Sequence, residues 1–218
     1  MRNAIKHIVG ATWQPLLVKY LSRPRTYRYK NIVVDVPVSV FHPGFFFSTH
    51  ILLNQVKRLA LNGKKFLEPG AGSGLLSIYA ARMGANVTAT DINPAAVECL
   101  KRNSSRNGVR MNIIESDLFD SLPAHPFDVI AINPPYYRKR PLSHADYAWN
   151  CGENGEYFEK LFGGLGNYLH SKTEILMVLC DGSDIEMIKS IAKRNGFQMH
   201  LLLSKESIIE KNFIYSIE

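Results

Sequence analysis

From residue 64 to the end of the chain, short apolar runs alternate with longer stretches whose apolar residues recur at helical spacing. The runs predict β-strands at 64–67, 86–90, 111–115, 127–132, 175–180, 197–204 and 213–217, and the longer stretches predict helices at 75–83, 94–106, 153–169 and 183–194. Alternating strands and helices predict an α/β fold with a doubly wound, seven-stranded, mostly parallel sheet. The connection before the last strand is too short for a helical crossover, so we expect that strand to be antiparallel.

The N-terminal part of the chain follows a less regular pattern. Residues 32–36 are mostly β-branched and predict another strand, and residues 40–47 form an aromatic loop. A helix is expected to run from its N-cap, Ser48 or Thr49, to about Leu61.

Aromatic and cationic side chains alternate in residues 25–30. Tyr27 and Tyr29 of this segment suit stacking on nucleic-acid bases, but they equally suit a strand that turns both rings toward a core. The sequence leaves both interpretations open.

The positive charge of the chain is concentrated near its N-terminus. Seven Lys or Arg residues and no acidic residue precede Asp35, which leaves 19 basic residues (26 minus 7) against 19 acidic ones in the remainder. Helical spacing in residues 3–21, interrupted by Pro15, predicts a basic helical extension over residues 1–34, followed by one large domain at 35–218. Such an arm can bind the phosphate backbone of a structured RNA. The alternative is an amphipathic helix whose basic residues are simply exposed to solvent.

Composition argues against several classes of protein. No apolar run approaches the roughly 20 residues of a membrane-spanning helix, and the N-terminus lacks the pattern of a secretory signal, so a cytoplasmic protein without membrane contact is expected. Cys99, Cys151 and Cys180 are odd in number and widely spaced, without a CxxC pattern or His residues at ligand spacing. We therefore predict neither a disulfide framework nor a metal site.

Unusual polar residues follow four of the predicted strands at the point where each strand ends. The first strand leads into residues 68–74, EPGAGSG, and the next three lead to Asp91, Asp117 and Asn133. In a doubly wound sheet, ligands bind at the carboxyl ends of the strands, near the point where the strand order reverses. The sequence therefore predicts a ligand site built from these four segments.

The first two segments suit a ligand with an amino acid part and a ribose. Gly70, Gly72 and Gly74 allow positive φ angles and let a ligand approach the backbone without meeting a Cβ. Glu68 can accept a hydrogen bond from an ammonium group, and Asp91 is placed to accept both hydroxyls of a ribose.

The third segment adds an adenine to this ligand. Asp117 can accept a hydrogen bond from an adenine amino group, with Leu118 or Ile92 against the ring. S-adenosylmethionine contains an amino acid, a ribose and an adenine, and it is the predicted cofactor.

Taken together, Glu68–Gly74, Asp91, Ser116–Leu118 and the NPPY motif Asn133–Tyr136 resemble the motifs of the class I S-adenosylmethionine-dependent methyltransferases. The resemblance is to the branch with an NPPY motif, which includes glutamine and adenine N6 methyltransferases of the methyltransferase small domain type. It spans residues 40–218 and implies a Rossmann-like methyltransferase domain.

The resemblance implies a catalytic role for the NPPY motif. The Asn133 side-chain oxygen and the Pro134 carbonyl are expected to accept hydrogen bonds from an NH2 group. Pro135 helps to hold the backbone extended, and Tyr136 is expected to stack on the flat group that carries the nitrogen. Methyl transfer then depends mainly on positioning.

Two further segments are candidates for covering the site. Residues 43–49 loosely resemble the segment that covers the cofactor in the glutamine-methylating members, which implies contacts from Phe47 and Thr49. Residues 137–152 form a candidate lid with an apolar face.

The molecule that carries the NH2 group is left open. The short architecture and residues 41–49 favour the glutamine of a protein substrate, of the release-factor or ribosomal-protein type. The basic N-terminus and Arg138–Arg140 favour an RNA base, adenine at N6 or guanine at N2. A cofactor-binding module without catalysis is a third alternative. His42 and His144 either line a substrate pocket or are ordinary hydrogen-bonded residues.

Overall fold

A computed structural model describes residues 22–44, 47–207 and 210–218 of the chain. The helix predicted at 3–21 lies outside the described residues. The strands are β1 (Arg25–Tyr29), β2 (Ile32–Val36), β3 (Lys65–Pro69), β4 (Asn86–Asp91), β5 (Asn112–Glu115), β6 (Val129–Ile132), β7 (Glu174–Cys180), β8 (Met199–Glu206) and β9 (Lys211–Ile217). The helices are α1 (Phe47–Val56), α2 (Leu75–Arg82), α3 (Pro94–Arg106), α4 (Glu156–Leu165) and α5 (Ile185–Arg194), with 3-10 turns at Asp146–Ala148 and Gly166–Tyr168.

Strands β3 to β9 form one sheet in the order β5-β4-β3-β6-β7-β9-β8. Strands β3 to β7 pair in parallel, and β9 runs antiparallel to both of its neighbours. The predicted doubly wound sheet of seven strands with an antiparallel last strand is therefore confirmed. The chain moves from β3 to β4 and β5 and then returns to place β6 on the other side of β3, so the strand order reverses between β3 and β6.

Helices cover both faces of this sheet. On one face, α1 and α2 pack in an apolar cluster that includes Leu52 and Phe66. On the other face, α4 and α5 pack in a second cluster that includes Phe158, Ile188 and Ile130. Burial of one such side chain stabilises a fold by roughly 1.5–3 kcal/mol, so these clusters hold the strands that position the site.

Strands β1 and β2 form a separate antiparallel hairpin. The ring centroid of Tyr27 lies 5.6 Å from that of His42, and the ring centroid of Tyr29 lies 5.2 Å from that of His50. Both tyrosines also pack against the apolar cluster below the hairpin. Of the two interpretations of residues 25–30, the strand that turns its rings toward a core is therefore the one observed.

Side chains of α3 and of its C-cap residue, Asn107, hold the hairpin in place. Asn103 accepts from the backbone N–H of Asp35 and donates to its carbonyl, each at 2.9 Å. Asn107 makes the same pair of bonds with Val33, at 3.0 and 2.7 Å, so the two amides pair with β2 much as a neighbouring strand would. Asn103 also donates to the Ser73 carbonyl at 2.9 Å, which joins the hairpin to the loop before α2.

Helix α1 differs from the prediction at both ends. It begins at Phe47, so Ser48 and Thr49 lie in its first turn and not at its N-cap. It ends at Val56 instead of near Leu61. The reason is that two of the next three backbone N–H groups bond to the carbonyl three residues back, which tightens the turn.

Strand β3 and helix α4 also differ from the prediction. β3 continues through Glu68 to Pro69, which were expected in a loop, because both residues pair with β4. α4 begins at Glu156 and not at 153, since Gly155 before it has a φ angle of 80°.

The hairpin includes residues on both sides of the boundary predicted after residue 34. The division of the chain into an extension and a domain at 35–218 stays a prediction. Across the described ranges, no helix combines the length and the apolar character that crossing a membrane requires.

Candidate functional site

A cleft lies at the carboxyl ends of the parallel strands, where the strand order reverses between β3 and β6. The cleft is open to solvent, and the space in and above it amounts to about 1050 Å³. Most residues predicted for the site line it: Thr49, Glu68, Gly70, Gly72, Asp91, Ile92, Asp117, Leu118, Asn133, Pro134 and Pro135. Three predicted residues, Phe47, Gly74 and Tyr136, are not part of its lining.

Glycines shape the loop that follows β3. Gly70 and Gly72 have φ angles of 70° and 55°, and a Cβ on Gly70 would meet no atom within 4 Å. Gly74 also has a positive φ, 82°, but a Cβ there would lie 2.5 Å from Leu100 Cδ2. The positive φ angles predicted for all three are confirmed. The absence of a Cβ at Gly74 lets α2 pack close to α3; its cofactor contact stays a prediction.

Glu68 is a buried carboxyl at the border of the cleft, with 6% of its surface exposed. Its Oε2 accepts a hydrogen bond from the Ser77 hydroxyl of α2. Burial raises the pKa of Glu68 to about 8, and the bond from Ser77 opposes only part of this rise, to which the nearby Asp91 adds. The Glu68 carboxyl is therefore mostly protonated at pH 7.

Asp91 connects the end of β4 to the glycine loop. Its Oδ2 accepts from the Gly72 N–H and its Oδ1 accepts from the Asn93 N–H, both at 2.9 Å. Burial raises the pKa of Asp91, and the bonds from Asn93 and Gly72 oppose the rise. A carboxylate offers about four acceptor sites, and the backbone N–H groups of Asn93, Gly72 and Ile92 use part of them, which leaves acceptor capacity for a ligand hydroxyl.

Asp117 follows β5 and is held by helix α4. Lys160 Nζ lies 2.6 Å from Asp117 Oδ2 and 2.6 Å from Asp120 Oδ2, so one cation joins two carboxylates. The neighbouring Leu118 has a φ angle of 54°, which is uncommon for a residue other than glycine. With Ile92, Leu118 gives this part of the cleft an apolar lining beside a carboxylate, which suits a purine with an amino group.

The charge of the lining is one-sided. Asp91 and Asp117 border the cleft, joined by Glu68 when it is ionised, and no Lys or Arg is found among its described lining residues. Acidic surroundings of this kind attract a cationic ligand. Within the described ranges, no group of three or more His, Cys, Asp or Glu side chains is placed to hold a metal ion.

Asn133 and the two prolines border the cleft directly after β6. Asn133 Nδ2 donates to Thr49 Oγ1 at 3.3 Å, and Asn133 Oδ1 accepts from the Tyr136 hydroxyl. Pro134 is buried, and no group in the described part of the chain donates to its carbonyl oxygen. Tyr136 is only 5% exposed and lies outside the described lining of the cleft, so its stacking on a substrate stays a prediction.

Residues 39–43 form one border of the cleft, between the hairpin and α1. Asn93 Nδ2 donates to the Ser39 carbonyl at 2.9 Å and so attaches this segment to the start of α3. Thr49 reaches the cleft from the first turn of α1. Phe47, for which a cofactor contact was predicted, is 49% exposed and lies outside the lining.

Residues 137–152, the predicted lid, form a loop that is closed at its base. The Tyr137 N–H donates to the Trp149 carbonyl at 2.8 Å. The rings of Phe41 and Trp149 meet with their centroids 5.1 Å apart, so the loop contacts the opposite border. His144 of this loop lines the cleft. Closure of the loop as a lid stays a prediction.

Several residues of the site were not predicted from the sequence. Ser77, Tyr157 and Lys160 lie in predicted helices, and periodicity does not show which position of a helix faces a site on the sheet. Asn93 was predicted only as the start of α3. Conversely, the candidate His42 lies outside the cleft lining, beside the hairpin.

Residues 38–182 match the family model described as methyltransferase small domain. A putative protein N5-glutamine methyltransferase of Methanocaldococcus jannaschii is 38% identical over 115 residues, which are 50% of this chain and 58% of that protein. A ribosomal protein L11 methyltransferase of Thermus thermophilus is 35% identical over 101 residues, 46% of this chain and 40% of that protein. A tRNA1(Val) (adenine(37)-N6)-methyltransferase of a Flavobacteriaceae bacterium is 31% identical over 121 residues, 54% of this chain and 51% of that protein. The chain spans about half the length of the curated relatives it matches.

Among solved structures, the E. cuniculi Mtq2–Trm112 complex, responsible for methylation of the eRF1 translation termination factor, is similar with a TM-score of 0.62. The identity is 20%, and the match covers 83% of this chain and 98% of that chain. This likeness concerns the fold, and it agrees with the Rossmann-like sheet described above. Given this sheet and the family match over 38–182, the chain belongs to the methyltransferase small domain family.

Proposed function

We propose that the chain is an S-adenosylmethionine-dependent N-methyltransferase that acts on a planar NH2 group. One observation carries this proposal. Asn133 and Pro134 border the same cleft as Glu68, Gly70 and Asp91. A cofactor held by the carboxyl groups and the glycine loop would therefore lie beside two oxygen acceptors.

The chemistry of the lining fits S-adenosylmethionine. Glu68 would hold the ammonium of the methionine part, Asp91 the ribose hydroxyls, and Asp117 the adenine amino group, with Leu118 and Ile92 against the ring. The acidic lining suits the positive charges on the sulfur and the amino group of this cofactor. When bound, S-adenosylmethionine supplies an electrophilic methyl group.

Asn133 and Pro134 offer one acceptor for each hydrogen of an NH2 group. Asn133 Oδ1 uses one lone pair for the Tyr136 hydroxyl and keeps the other. The Pro134 carbonyl has no donor in the described part of the chain. Two acceptors fix the orientation of a nitrogen whose lone pair is weakened by conjugation. Because orientation can supply much of the rate enhancement of such a transfer, no strong general base is required.

We infer that the NH2 group belongs to a glutamine side chain of a protein substrate. The similarity to a putative protein N5-glutamine methyltransferase, at 38% identity, supports this choice. The packing of Tyr27 and Tyr29 against the core supports it too, because these partly buried rings are engaged with the protein instead of being displayed to bases.

An RNA base is the second candidate, and exposed cations near the site favour it. Lys139 and Arg140 of the candidate lid are exposed, and neither forms an ion pair within the described residues. Arg138, in contrast, is bound to Asp184 at 2.9 Å. The similarity to a tRNA adenine-N6 methyltransferase, at 31% identity, also supports this alternative.

The test is transfer of label from S-adenosylmethionine into separated protein and RNA fractions of the host. We expect label in protein, released as N5-methylglutamine after digestion. Label in RNA alone would replace the glutamine proposal by the RNA candidate. Transfer to neither fraction, together with a failure to bind S-adenosylhomocysteine in calorimetry, would overturn the proposed enzyme.

A variant of the motif separates catalysis from cofactor binding. We expect Asn133→Ala to abolish transfer while the Kd for S-adenosylhomocysteine changes only a few-fold. Asn86→Ala, at the opposite end of β4, is the matched control and should retain full transfer. Loss of cofactor binding in Asn133→Ala would contradict the role of Asn133 as an acceptor for the substrate.

A further inference from the structure

The side chain of Asn133 is held at both ends of its amide. Its Oδ1 accepts from the Tyr136 hydroxyl, and its Nδ2 donates to Thr49 Oγ1 at 3.3 Å. Tyr136 belongs to the same short motif as Asn133, whereas Thr49 belongs to helix α1. Both partners are buried, with 5% and 9% of their surfaces exposed.

Orientation matters for an asparagine that must act as an acceptor. Rotation of the amide by half a turn about its last bond would exchange Oδ1 and Nδ2 and point N–H donors at the NH2 group of a substrate. Two groups of donors that face each other leave a buried polar group unpaired, which is costly. An Asn133 that accepts from a substrate therefore requires neighbours that favour this orientation of its amide. Both neighbours are hydroxyls, which can donate or accept. A phenol hydroxyl is a better donor than acceptor, so Tyr136 favours the orientation in which Oδ1 accepts from it and Nδ2 donates to Thr49.

We propose that Thr49 and Tyr136 are positioning residues that hold the Asn133 amide with Oδ1 toward the acceptor nitrogen. This inference rests on the proposed function and changes the roles expected for Thr49 and Tyr136. Thr49 acts through Asn133 in addition to bordering the cofactor region, and Tyr136 acts through its hydroxyl instead of stacking on the substrate. Burial raises the pKa of Tyr136 well above its ordinary value, so the hydroxyl keeps the proton that it donates.

This arrangement also links the two halves of the site. Thr49 lies in the first turn of α1, directly after the segment that borders the cofactor region. A shift of that segment would move the acceptor of the Asn133 Nδ2 hydrogen bond. The orientation of the catalytic amide therefore depends on a residue far from the NPPY motif in sequence.

The test uses Thr49→Val, Thr49→Ser and Tyr136→Phe. We expect Thr49→Val and Tyr136→Phe each to lower the rate of label transfer, at saturating S-adenosylmethionine, by about tenfold or more, as expected for a hydrogen bond lost from a preorganised site. The Kd for S-adenosylhomocysteine should change by less than about threefold, because Asn133 and not the cofactor loses its partner. Thr49→Ser keeps the hydroxyl and should restore most of the rate.

Matched controls exist in the same fold. Tyr168 is a buried tyrosine whose hydroxyl donates to the Leu122 carbonyl at 2.7 Å, and Thr173 donates to the Phe127 carbonyl at 2.7 Å. Neither lines the cleft. Tyr168→Phe and Thr173→Val should leave the transfer rate unchanged, although they lose a comparable hydrogen bond.

A spectroscopic measurement tests the inference without any acceptor substrate. The side-chain NH2 signals of Asn133 in a 1H–15N spectrum are assigned by their disappearance in Asn133→Ala. They should shift in Thr49→Val and Tyr136→Phe and stay in place in both control variants. If wild-type protein transfers no label but these shifts occur, the proposed function fails and the positioning of Asn133 stands.

Three results would overturn the inference. One is a set of Asn133 signals that stay unchanged in Thr49→Val and Tyr136→Phe. Another is a loss of transfer in Thr49→Val that follows a proportional loss of S-adenosylhomocysteine binding, which would make Thr49 a cofactor contact alone. The last is full activity of Tyr136→Phe.

Discussion

Binding of the cofactor should depend on pH through Glu68. The carboxyl group is buried beside the glycine loop, and burial raises its pKa to about 8. A ligand whose ammonium group lies beside Glu68 requires the ionised carboxylate. The perturbation is therefore a change of pH between 6 and 8.5, with S-adenosylhomocysteine as the ligand.

The size of the effect follows from the fraction of protein with Glu68 ionised. With a pKa of about 8, that fraction is about 1% at pH 6 and about 10% at pH 7, and the apparent Kd rises by its inverse. We expect affinity to increase about tenfold from pH 6 to pH 7 and about 50-fold, or roughly 2.3 kcal/mol, from pH 6 to pH 8, and then to level off. Between pH 6 and pH 7, binding should release about one proton per ligand.

Isothermal titration calorimetry in buffers of different ionisation enthalpy measures both quantities. In Glu68→Gln the affinity should be lower at pH 8 and nearly independent of pH, because no carboxyl titrates at that position. A wild-type Kd that changes less than about twofold between pH 6 and pH 8 would refute the reasoning. An unchanged pH slope in Glu68→Gln would assign the proton to another group, such as Asp91.

Stability provides a second readout that needs no ligand. The pKa of Glu68 rises on folding from its ordinary 4.5 to about 8, so the folded protein binds more protons than the unfolded chain between these values. The free energy of unfolding should therefore decrease as the pH rises from 4.5 to 8, with a contribution from Glu68 on the order of 5 kcal/mol. Urea denaturation of wild type and Glu68→Gln across this range should show the decrease in wild type and lose most of it in the variant.

Three further variants test the packing around the site. Gly74→Ala places a Cβ 2.5 Å from a leucine of α3 at a φ angle of 82°, and it should lower the free energy of unfolding in urea by about 2 kcal/mol. Gly108→Ala has a similar φ angle of 65° but adds its Cβ in open space, so it should cost only about 1 kcal/mol. Asn103→Ala removes the hydrogen bonds of a fully buried amide to Asp35, Ser73 and Cys99 and should cost about 3 kcal/mol in the same assay. Lys160→Met should change the free energy of unfolding by less than about 1 kcal/mol, since its ion pairs are partly exposed. It should weaken S-adenosylhomocysteine binding several-fold in calorimetry, because the Asp117 carboxylate loses the cation that holds it. The control Arg194→Met should leave this binding unchanged.

The fold was predictable because its signal is local and repeated. Apolar runs of strand length alternate with helical spacing, and the short connection before β9 indicates an antiparallel last strand. Helix ends were harder to predict, because they depend on backbone hydrogen bonds that many sequences can form. The shortened α1 is one case, where the last turns tighten although the apolar pattern continues to Leu61.

Residues at strand ends could also be predicted, because a parallel sheet brings its carboxyl ends to one edge whatever lies between them in sequence. Glu68, Asp91 and Asp117 meet at the cleft for this reason. Ser77 and Lys160 reach the site from helix faces, and their orientation depends on how α2 and α4 pack on the sheet. Helical periodicity identifies the apolar face of a helix but not the one polar residue that points at a neighbouring carboxyl.

Contacts of β2 and α1 show why a motif alone does not define this site. Asn103 ties the backbone of β2 to the carbonyl of Ser73 in the glycine loop. In the first turn of α1, Thr49 accepts from the amide of Asn133. β2 is therefore attached to the part of the cleft that is suited to the cofactor, and α1 to the part that is suited to the acceptor nitrogen. Neighbours of the motif can thereby affect the relative position of the two, and for a reaction that depends mainly on the alignment of two groups, that position affects the rate directly.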